Sequence, residues 1–186
     1  MMRYTRFLSI LAIAALAACA APQPSRPLPT VRAVDLSRYT GTWYEQARLP
    51  MWFQRNCVAS KAVYTARDSQ MIGVHNECRT KSGGIEQADG VATVVAPDTQ
   101  ARLSVSFDNI FARWFGTPEW GNYWIIALDE AYETAMVGTP DRKFLWILAR
   151  HPQIAPERLR ELVERAGSLG FATERLVYDQ HETQAR

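Results

Sequence analysis

The residues of this chain best suited to chemistry are its three histidines and three cysteines. His75, His151 and His181 lie far apart in the sequence, and the chain contains no H-E-x-x-H or C-x-x-C motif. It also lacks a G-x-S-x-G nucleophile elbow and a glycine-rich phosphate loop. Acidic pairs such as Asp129-Glu130 fall in predicted turns, where carboxylates are usually solvated. We therefore predict a protein that is not an enzyme, with no catalytic residue, no metal site and no cofactor.

An odd number of cysteines requires one cysteine with a separate role, and Cys19 is the candidate. Arg3 and Arg6 precede an apolar run at 7–18, which is shorter than the ~20 residues that span a bilayer and is typical of a secretory signal. The sequence Leu16-Ala17-Ala18-Cys19 resembles the lipobox of bacterial lipoproteins, in which the cysteine is acylated after cleavage. The alternative is an ordinary signal peptide with a chance cysteine. Ala20 follows the cysteine in place of aspartate, which under the sorting rule of those lipoproteins implies the outer membrane of a Gram-negative bacterium, with the domain in the periplasm.

Processing at this site changes the charge of the chain. The whole sequence has 186 residues, is 47% hydrophobic and 22% charged, and carries a formal net charge of +2. Residues 1–18 hold two of its 21 basic residues and none of its 19 acidic ones, so the mature chain is neutral. A neutral chain lacks the excess of basic residues that neutralises phosphates, and we predict no nucleic acid partner. The predicted order is a signal peptide (1–18), an acylated cysteine and proline-rich tether (19–34), one domain (35–180) and a short tail (181–186).

The domain is predicted to be all-β. Eight short runs are enriched in Val, Ile, Thr, Tyr and Trp and are bounded by turn residues. An open sheet of eight strands leaves two edges free to pair with other chains, and closure removes them. We therefore predict an eight-stranded antiparallel up-and-down β-barrel. The predicted strands are 41–48, 57–67, 71–79, 86–95, 102–107, 121–128, 133–138 and 143–150.

One segment, 156–169, has the apolar period of a helix. It begins at Pro156 and ends before Gly170, as helices commonly do. The run 144–149 is apolar on both faces, so we expect one face inside the barrel and the other covered by this helix. A short final strand at 173–178 completes the prediction.

Three motifs in order resemble the signature regions of the lipocalins. They are Gly41-Thr42-Trp43-Tyr44 in the first strand, Asp129-Glu130-Ala131-Tyr132 between the sixth and seventh strands, and Arg150 at the end of the eighth. Together with the lipobox, the sequence around these motifs is similar to the Blc-type bacterial outer-membrane lipocalins over about residues 35–180. The resemblance implies a calyx with structural roles for Gly41, Trp43 and Arg150. Arg150 stacks on Trp43 across the closed end, and Gly41 permits close approach of the chain beneath the ring.

The two remaining cysteines are predicted to form a disulfide. A hairpin turning near Asp68-Ser69 places Cys57 opposite Cys78, Val63 opposite Ile72 and Lys61 opposite Val74, and an exported protein permits oxidation. The alternative is a pair of free, buried thiols.

Alternation along the strands predicts an apolar cup with a few polar groups. With Trp43 inward, Glu45 and Ala47 also point in, and alanines at inward positions leave room for a ligand. Leu148, Trp146 and Phe144 share the face of Arg150, and other inward positions are Leu103, Ile125 and Ala127. Glu45, the Tyr123 hydroxyl and the Trp146 indole are expected nearer the mouth, where they would orient a head group. The predicted ligand-binding residues are Glu45, Ala47, Val105, Phe107, Tyr123 and Trp146; for the aromatic ones, core filling is the alternative.

The segment 108–122 is longer than the corresponding loop of the lipocalins that the chain resembles, and it is rich in aromatic residues. Such an apolar surface suits a lid, a membrane contact or a homodimer interface, in that order. The resemblance implies a membrane-anchored protein that stores or transports lysophospholipids or fatty acids for envelope maintenance. A periplasmic isoprenoid- or tetrapyrrole-binding protein is the nearest alternative, and a lipid-acting enzyme on the same barrel is a more distant one.

Overall fold

The strands of the protein follow the predicted runs to within about two residues at most ends. The computed structural model describes residues 27–107 and 119–181. Each strand is antiparallel to its neighbour along the chain. The nine strands are β1 (Gly41–Arg48), β2 (Cys57–Ala66), β3 (Met71–Thr80), β4 (Ile85–Val94), β5 (Arg102–Phe107), β6 (Tyr123–Leu128), β7 (Thr134–Gly138), β8 (Leu145–Ala149) and β9 (Val177–Tyr178).

The sheet closes on itself through β1. Strands β2 to β8 follow one another in order, and β1 pairs with β8 on one side and with β2 on the other. The result is the predicted eight-stranded up-and-down barrel, which leaves none of these eight strands as a free sheet edge. No helix among residues 27–107 and 119–181 combines the length and apolar character needed to cross a membrane.

The predicted late helix is α2 (Pro156–Ser168), and it packs outside the barrel. Proline stands in its first turn, and Gly170 follows with a φ of +87°, a conformation that favours glycine at a helix end. Leu162 and Ala166 are buried in a layer with Leu145 and Ile147 of β8. β8 is therefore apolar on both faces, as predicted. Leu145 and Ile147 pack against α2, whereas Leu148 faces the barrel interior.

The C-terminal strand is shorter than predicted and completes the barrel wall. Residues 173–175 form a 3₁₀ turn, and only Val177–Tyr178 pair, with Arg48 and Ala47 of β1. β1 pairs with β2 only over its first half. Beyond it, the backbone N–H of Gln180 donates to the carbonyl of Val58 in β2. The segment 177–180 thus fills the gap between the diverging ends of β1 and β2.

One helix was not predicted, the short α1 (Leu36–Tyr39) that precedes β1. The carboxylate of Asp35 caps it by accepting hydrogen bonds from the N–H groups of Ser37 and Arg38. The preceding residues also lie against the barrel. Leu28 and Val34 are buried, and Val31 donates to the carbonyl of Ile125. The described end of the segment predicted as a tether, 27–34, is therefore packed.

The closed end of the barrel is built around Arg150 and Trp43. The guanidinium carbon lies 3.9 Å from the centre of the Trp43 ring, and the ring is fully buried. The same guanidinium donates to the carbonyls of Tyr132, Thr42 and Arg38, which belong to three separate segments. Gly41 has a φ of +96°, and a Cβ there would lie 3.2 Å from Nη1 of Arg150. The predicted stacking is confirmed, and Gly41 makes room for the guanidinium.

Cys57 and Cys78 are joined by a disulfide with a Cα–Cα distance of 5.5 Å, but the predicted register of their hairpin is wrong. Cys78 faces Ser60, Val63 faces His75 and Lys61 faces Glu77. The shift is three residues. An irregularity between Cys57 and Ala59 displaces Cys57 along the ladder and brings its sulfur to Cys78.

Replacing Arg150 with alanine is expected to lower the melting temperature, because the change removes the cation over Trp43 and three charge-assisted hydrogen bonds at once. A loss of roughly 2 kcal/mol, or about 5 °C, is the expected size. Thermal unfolding followed by circular dichroism measures it, with Arg55→Ala at an exposed arginine as the control. Equal melting temperatures for the two variants would contradict the structural role of Arg150.

The disulfide predicts a simple thiol count. Cys19→Ala protein, denatured without a reductant, should expose no thiol to a thiol-reactive dye, and two thiols after reduction. Two reactive thiols before reduction would show that the cysteines are free.

Candidate functional site

An apolar cavity of about 180 Å³ occupies the barrel interior. The strand connections at 49–56, 81–84 and 139–144 surround its mouth, while α1 and Arg150 cover its other end. Most side chains on its wall are hydrocarbon or aromatic. The polar ones lie mainly at the two ends, with Asn76 between them in the middle of β3. Its lining includes Trp43, Phe53, Ala62, Ile72, Val74, Ala88, Ala92, Leu103, Val105, Phe107, Trp146 and Leu148 among the apolar residues, and Tyr39, Glu45, Gln54, Tyr64, Asn76, Glu86 and Tyr123 among the polar ones.

Five of the six residues predicted to bind a ligand line this cavity. They are Glu45, Val105, Phe107, Tyr123 and Trp146. Alternation along β5 predicted its inward residues correctly, because Leu103, Val105 and Phe107 stand at every second position and all line the cavity.

The sixth residue, Ala47, lies on the other side of the wall. A β-bulge between Glu45 and Ala47 breaks the alternation, since these residues pair with Leu148 and Ile147, which are adjacent. Ala47 is fully buried in the layer beneath α2. The prediction that it lines the cup is therefore wrong.

A second bulge, between Ile125 and Ala127, moves Ala127 into the same outer layer. The room inside the barrel comes instead from Ala62, Ala88 and Ala92 on β2 and β4.

Three tyrosines form the floor of the cavity. The hydroxyl of Tyr123 lies 2.8 Å from that of Tyr39 and 3.0 Å from that of Tyr64. Tyr39 also packs on Trp43 of the closed end, with ring centres 5.0 Å apart. Burial raises the pKa of Tyr64 to about 12 and the pKa values of Tyr39 and Tyr123 well above 10. The Tyr123 hydroxyl was expected near the mouth, and its place at the floor corrects that prediction.

Tyr39 and Tyr64 were not predicted as site residues. Tyr39 lies on α1, which at four residues is too short for a periodic signal. Tyr64 shares the inward parity of Ala62, and alternation along β2 would have identified it. Tyr39 became part of the site only through the fold of the segment before β1.

Buried charges stand beside the mouth. Nη1 of Arg48 contacts both the Glu45 carboxylate, at 2.8 Å, and the Asp179 carboxylate. Gln54 donates to the second oxygen of Glu45 and accepts from the indole N–H of Trp146, at 3.1 and 3.3 Å. The predicted polar groups Glu45 and Trp146 are thus linked to each other through Gln54.

The Arg48 guanidinium contacts the carboxylates of both Glu45 and Asp179. When both carboxylates are ionised, one negative charge of this cluster is not compensated. Burial, followed by the charge of Asp179, raises the pKa of Glu45 to about 7, although Arg48 and Gln54 oppose the rise. Burial also raises the pKa of Asp179. Glu45 therefore changes its charge near neutral pH.

One group of residues in the described part of the chain has the spacing of metal ligands. The sulfurs of Cys57 and Cys78 and a carboxylate oxygen of Glu86 lie within 4.8 Å of one another. Because the sulfurs are bonded to each other, neither offers a thiolate, and the three residues do not form a metal site in this state.

Several predicted features fall wholly or partly outside the described residues. They are the signal peptide (1–18), Cys19 with the tether up to residue 26, the tail beyond residue 181, and the aromatic segment 108–122, of which only 119–122 are described. Within that described part, Trp120 is 60% exposed. The side chain of Asn122 accepts from the N–H of Val105 and donates to its carbonyl, extending the β5 edge beyond its short pairing with β6.

Comparison with known proteins identifies relatives over nearly the whole domain. The family model described as a Lipocalin-like domain matches residues 34–181. The chain is 37% identical over 161 residues to outer membrane lipoprotein Blc of Escherichia coli (strain K12), which covers 86% of both chains. It is 36% identical over 152 residues to temperature-induced lipocalin-1 of Arabidopsis thaliana, covering 78% of each.

Solved structures agree with the fold at much lower sequence identity. Apocrustacyanin C2 superposes with a TM-score of 0.61 at 15% identity, covering 86% of this chain and 93% of that one. Insecticyanin from the tobacco hornworm Manduca sexta gives 0.61 at 18% identity, covering 87% and 88%. These likenesses concern the barrel alone, whereas the family match and the sequence identities establish descent: the chain belongs to the lipocalin family.

Proposed function

We propose that this protein is a membrane-anchored binding protein that stores or carries lysophospholipids or fatty acids for maintenance of the bacterial envelope. The observation that carries the proposal is the cavity: an apolar interior, closed at one end by Trp43 and Arg150 and bearing polar groups beside the mouth. An amphipathic lipid has the same distribution, with an apolar chain and a polar head.

The size of the cavity favours a slender ligand. At about 180 Å³ it is smaller than the ~300–1,000 Å³ usual for pockets that enclose drug-sized molecules. A single acyl chain fits such a space better than a two-chain phospholipid does. Its head group would then lie near Glu45 and Trp146, where Gln54 and these two side chains offer both donors and acceptors.

The anchor is part of the proposal. The lipobox-like sequence before Cys19 and the relatives named outer membrane lipoprotein both support acylation and an outer-membrane location, with the domain in the periplasm. Several acyl chains on one cysteine hold a protein firmly, since each buried methylene contributes ~0.8 kcal/mol.

Radioactive palmitate should label the wild-type protein and should not label the Cys19→Ala variant.

Mass spectrometry of the lipid extracted from purified protein tests the ligand class. We expect a single-chain phospholipid or a fatty acid. Ala88→Phe should reduce its amount several-fold, because Ala88 lines the cavity and the larger ring occupies the space of the chain. Thr93→Phe is the matched control, since Thr93 is an exposed residue of the same strand.

Other outcomes of this experiment decide against the proposal. A polyene or pigment in the extract would favour the isoprenoid- or tetrapyrrole-binding alternative. Turnover of an added lipid would favour an enzyme. Equal amounts of lipid on the Ala88 and Thr93 variants would place its binding site outside the barrel.

The pKa of Glu45 predicts how fatty-acid affinity depends on pH. Below pH 7 Glu45 is mainly protonated, and above it the ionised carboxylate adds a negative charge beside the mouth. A fatty-acid carboxylate is ionised throughout the range from pH 6 to pH 8. Repulsion between it and the ionised Glu45 should therefore weaken binding about fivefold between these two pH values. In Glu45→Gln the affinity should be nearly constant. Parallel pH profiles for the two proteins, measured by titration calorimetry, would show that the head group does not lie near Glu45.

A further inference from the structure

The three tyrosines at the cavity floor have more hydrogen-bond donors than mutual contacts. Each of the three hydroxyls carries one proton, but the group contains only two contacts, Tyr39–Tyr123 and Tyr123–Tyr64. Whichever way the protons are arranged, each contact uses one of them. One O–H group of the three is therefore left without an acceptor inside the group.

Within the described part of the chain, the surroundings offer no protein acceptor for the remaining proton. Among residues 27–107 and 119–181, these hydroxyls have no hydrogen-bond partner besides one another. Tyr39 is 1% and Tyr64 7% exposed, and the neighbouring wall is formed by apolar side chains such as Leu103 and Ile125. All three tyrosines line the cavity, and its wall between them and the mouth is mainly apolar, with Asn76 of β3 as a polar exception. The remaining donor is therefore available to a molecule that enters the cavity.

We infer that the tyrosine floor donates a hydrogen bond to an oxygen acceptor at the buried end of the ligand. The preferred ligand is thus a slender apolar chain with a polar head at the mouth and a carbonyl, ether or hydroxyl oxygen at or near its far end. This inference rests on the proposed function, because it names which chain-like lipids the same cavity prefers.

Desolvation is the reason why the floor selects such a ligand. A ligand that ends in a methyl group displaces water from the floor and leaves a buried O–H group unpaired, which weakens its binding. A ligand with a terminal oxygen also loses water from that oxygen, but the tyrosine hydroxyl replaces the lost hydrogen bond. The raised pKa values keep the hydroxyls protonated, and so able to donate, throughout the neutral range.

Matched pairs of fatty acids test the inference on the full-length protein. The probes are saturated acids of ten to sixteen carbons, each compared with its derivative carrying a ketone on the carbon before the terminal methyl. The ketone is an acceptor only, and the two probes of a pair have the same length. At the chain length that reaches the floor, wild-type protein should bind the ketone about fivefold more tightly than the parent acid.

A variant without the hydroxyls should lose this preference. Tyr39→Phe with Tyr64→Phe and Tyr123→Phe retains the aromatic rings and removes all three donors. It should bind the parent acids at least as tightly as wild type does and bind the ketones less tightly than the parents. Tyr44→Phe is the control, because the Tyr44 ring packs against His181 outside the cavity, and it should keep the wild-type preference.

The outcomes separate the two proposals. If wild-type protein binds the parent acids with no preference for a ketone at any length, the inference is wrong and the proposed function stands. If it binds neither member of any pair, the fatty-acid form of the proposed function fails together with the inference. The wild-type comparison decides between these results even if the triple variant does not fold. A triple variant that folds and keeps the preference would assign it to another group.

Discussion

The closed end of the barrel depends on one guanidinium group, that of Arg150. Hydrogen bonds between strands close the wall of a barrel, but they do nothing for its ends. At one end Arg150 covers the buried Trp43 ring and donates to the carbonyls of Arg38 in α1, Thr42 in β1 and the distant Tyr132. The start of β1, the β6–β7 turn and α1 are thereby held together. The tyrosine floor depends on the same interaction, because Tyr39 belongs to α1 and packs on Trp43.

The polar groups at the two ends of the cavity differ in charge. At the floor the tyrosines are neutral, and burial strengthens their hold on their protons. Beside the mouth Glu45, Arg48 and Asp179 are charged groups that compensate one another only in part. A purely apolar cup would accept any hydrocarbon. The polar groups at both ends are the basis of the proposed selection for the length and the two termini of a ligand.

Local patterns predicted the wall of this barrel well, and its irregularities poorly. The strand bounds, the helix and the inward face of β5 follow from periodicity, because each is decided by neighbours along the chain. Ala47 and Ala127 were misplaced since a β-bulge reverses the side of every later residue and leaves no mark in the sequence. The register of Cys57 and Cys78 failed for another reason: the β2–β3 turn lies later than predicted, so Val63 already faces His75, although the predicted disulfide is present. The disulfide forms although the two cysteines are not directly opposite each other. Counting residues from the turn identifies opposite positions only when the turn is placed correctly.

The position of β9 has a consequence for how the chain acquires its structure. β1 is completed by β8 on one side and by the segment 177–180 on the other, and Arg48 meets Asp179 across 131 positions of sequence. Contacts this distant form late in folding, because the loop between them must first be closed. A chain that lacks its last residues has an incomplete first strand, and its Arg48 keeps only Glu45 as a carboxylate partner. The wall of the barrel is therefore complete only when residues 177–180 are in place between β1 and β2.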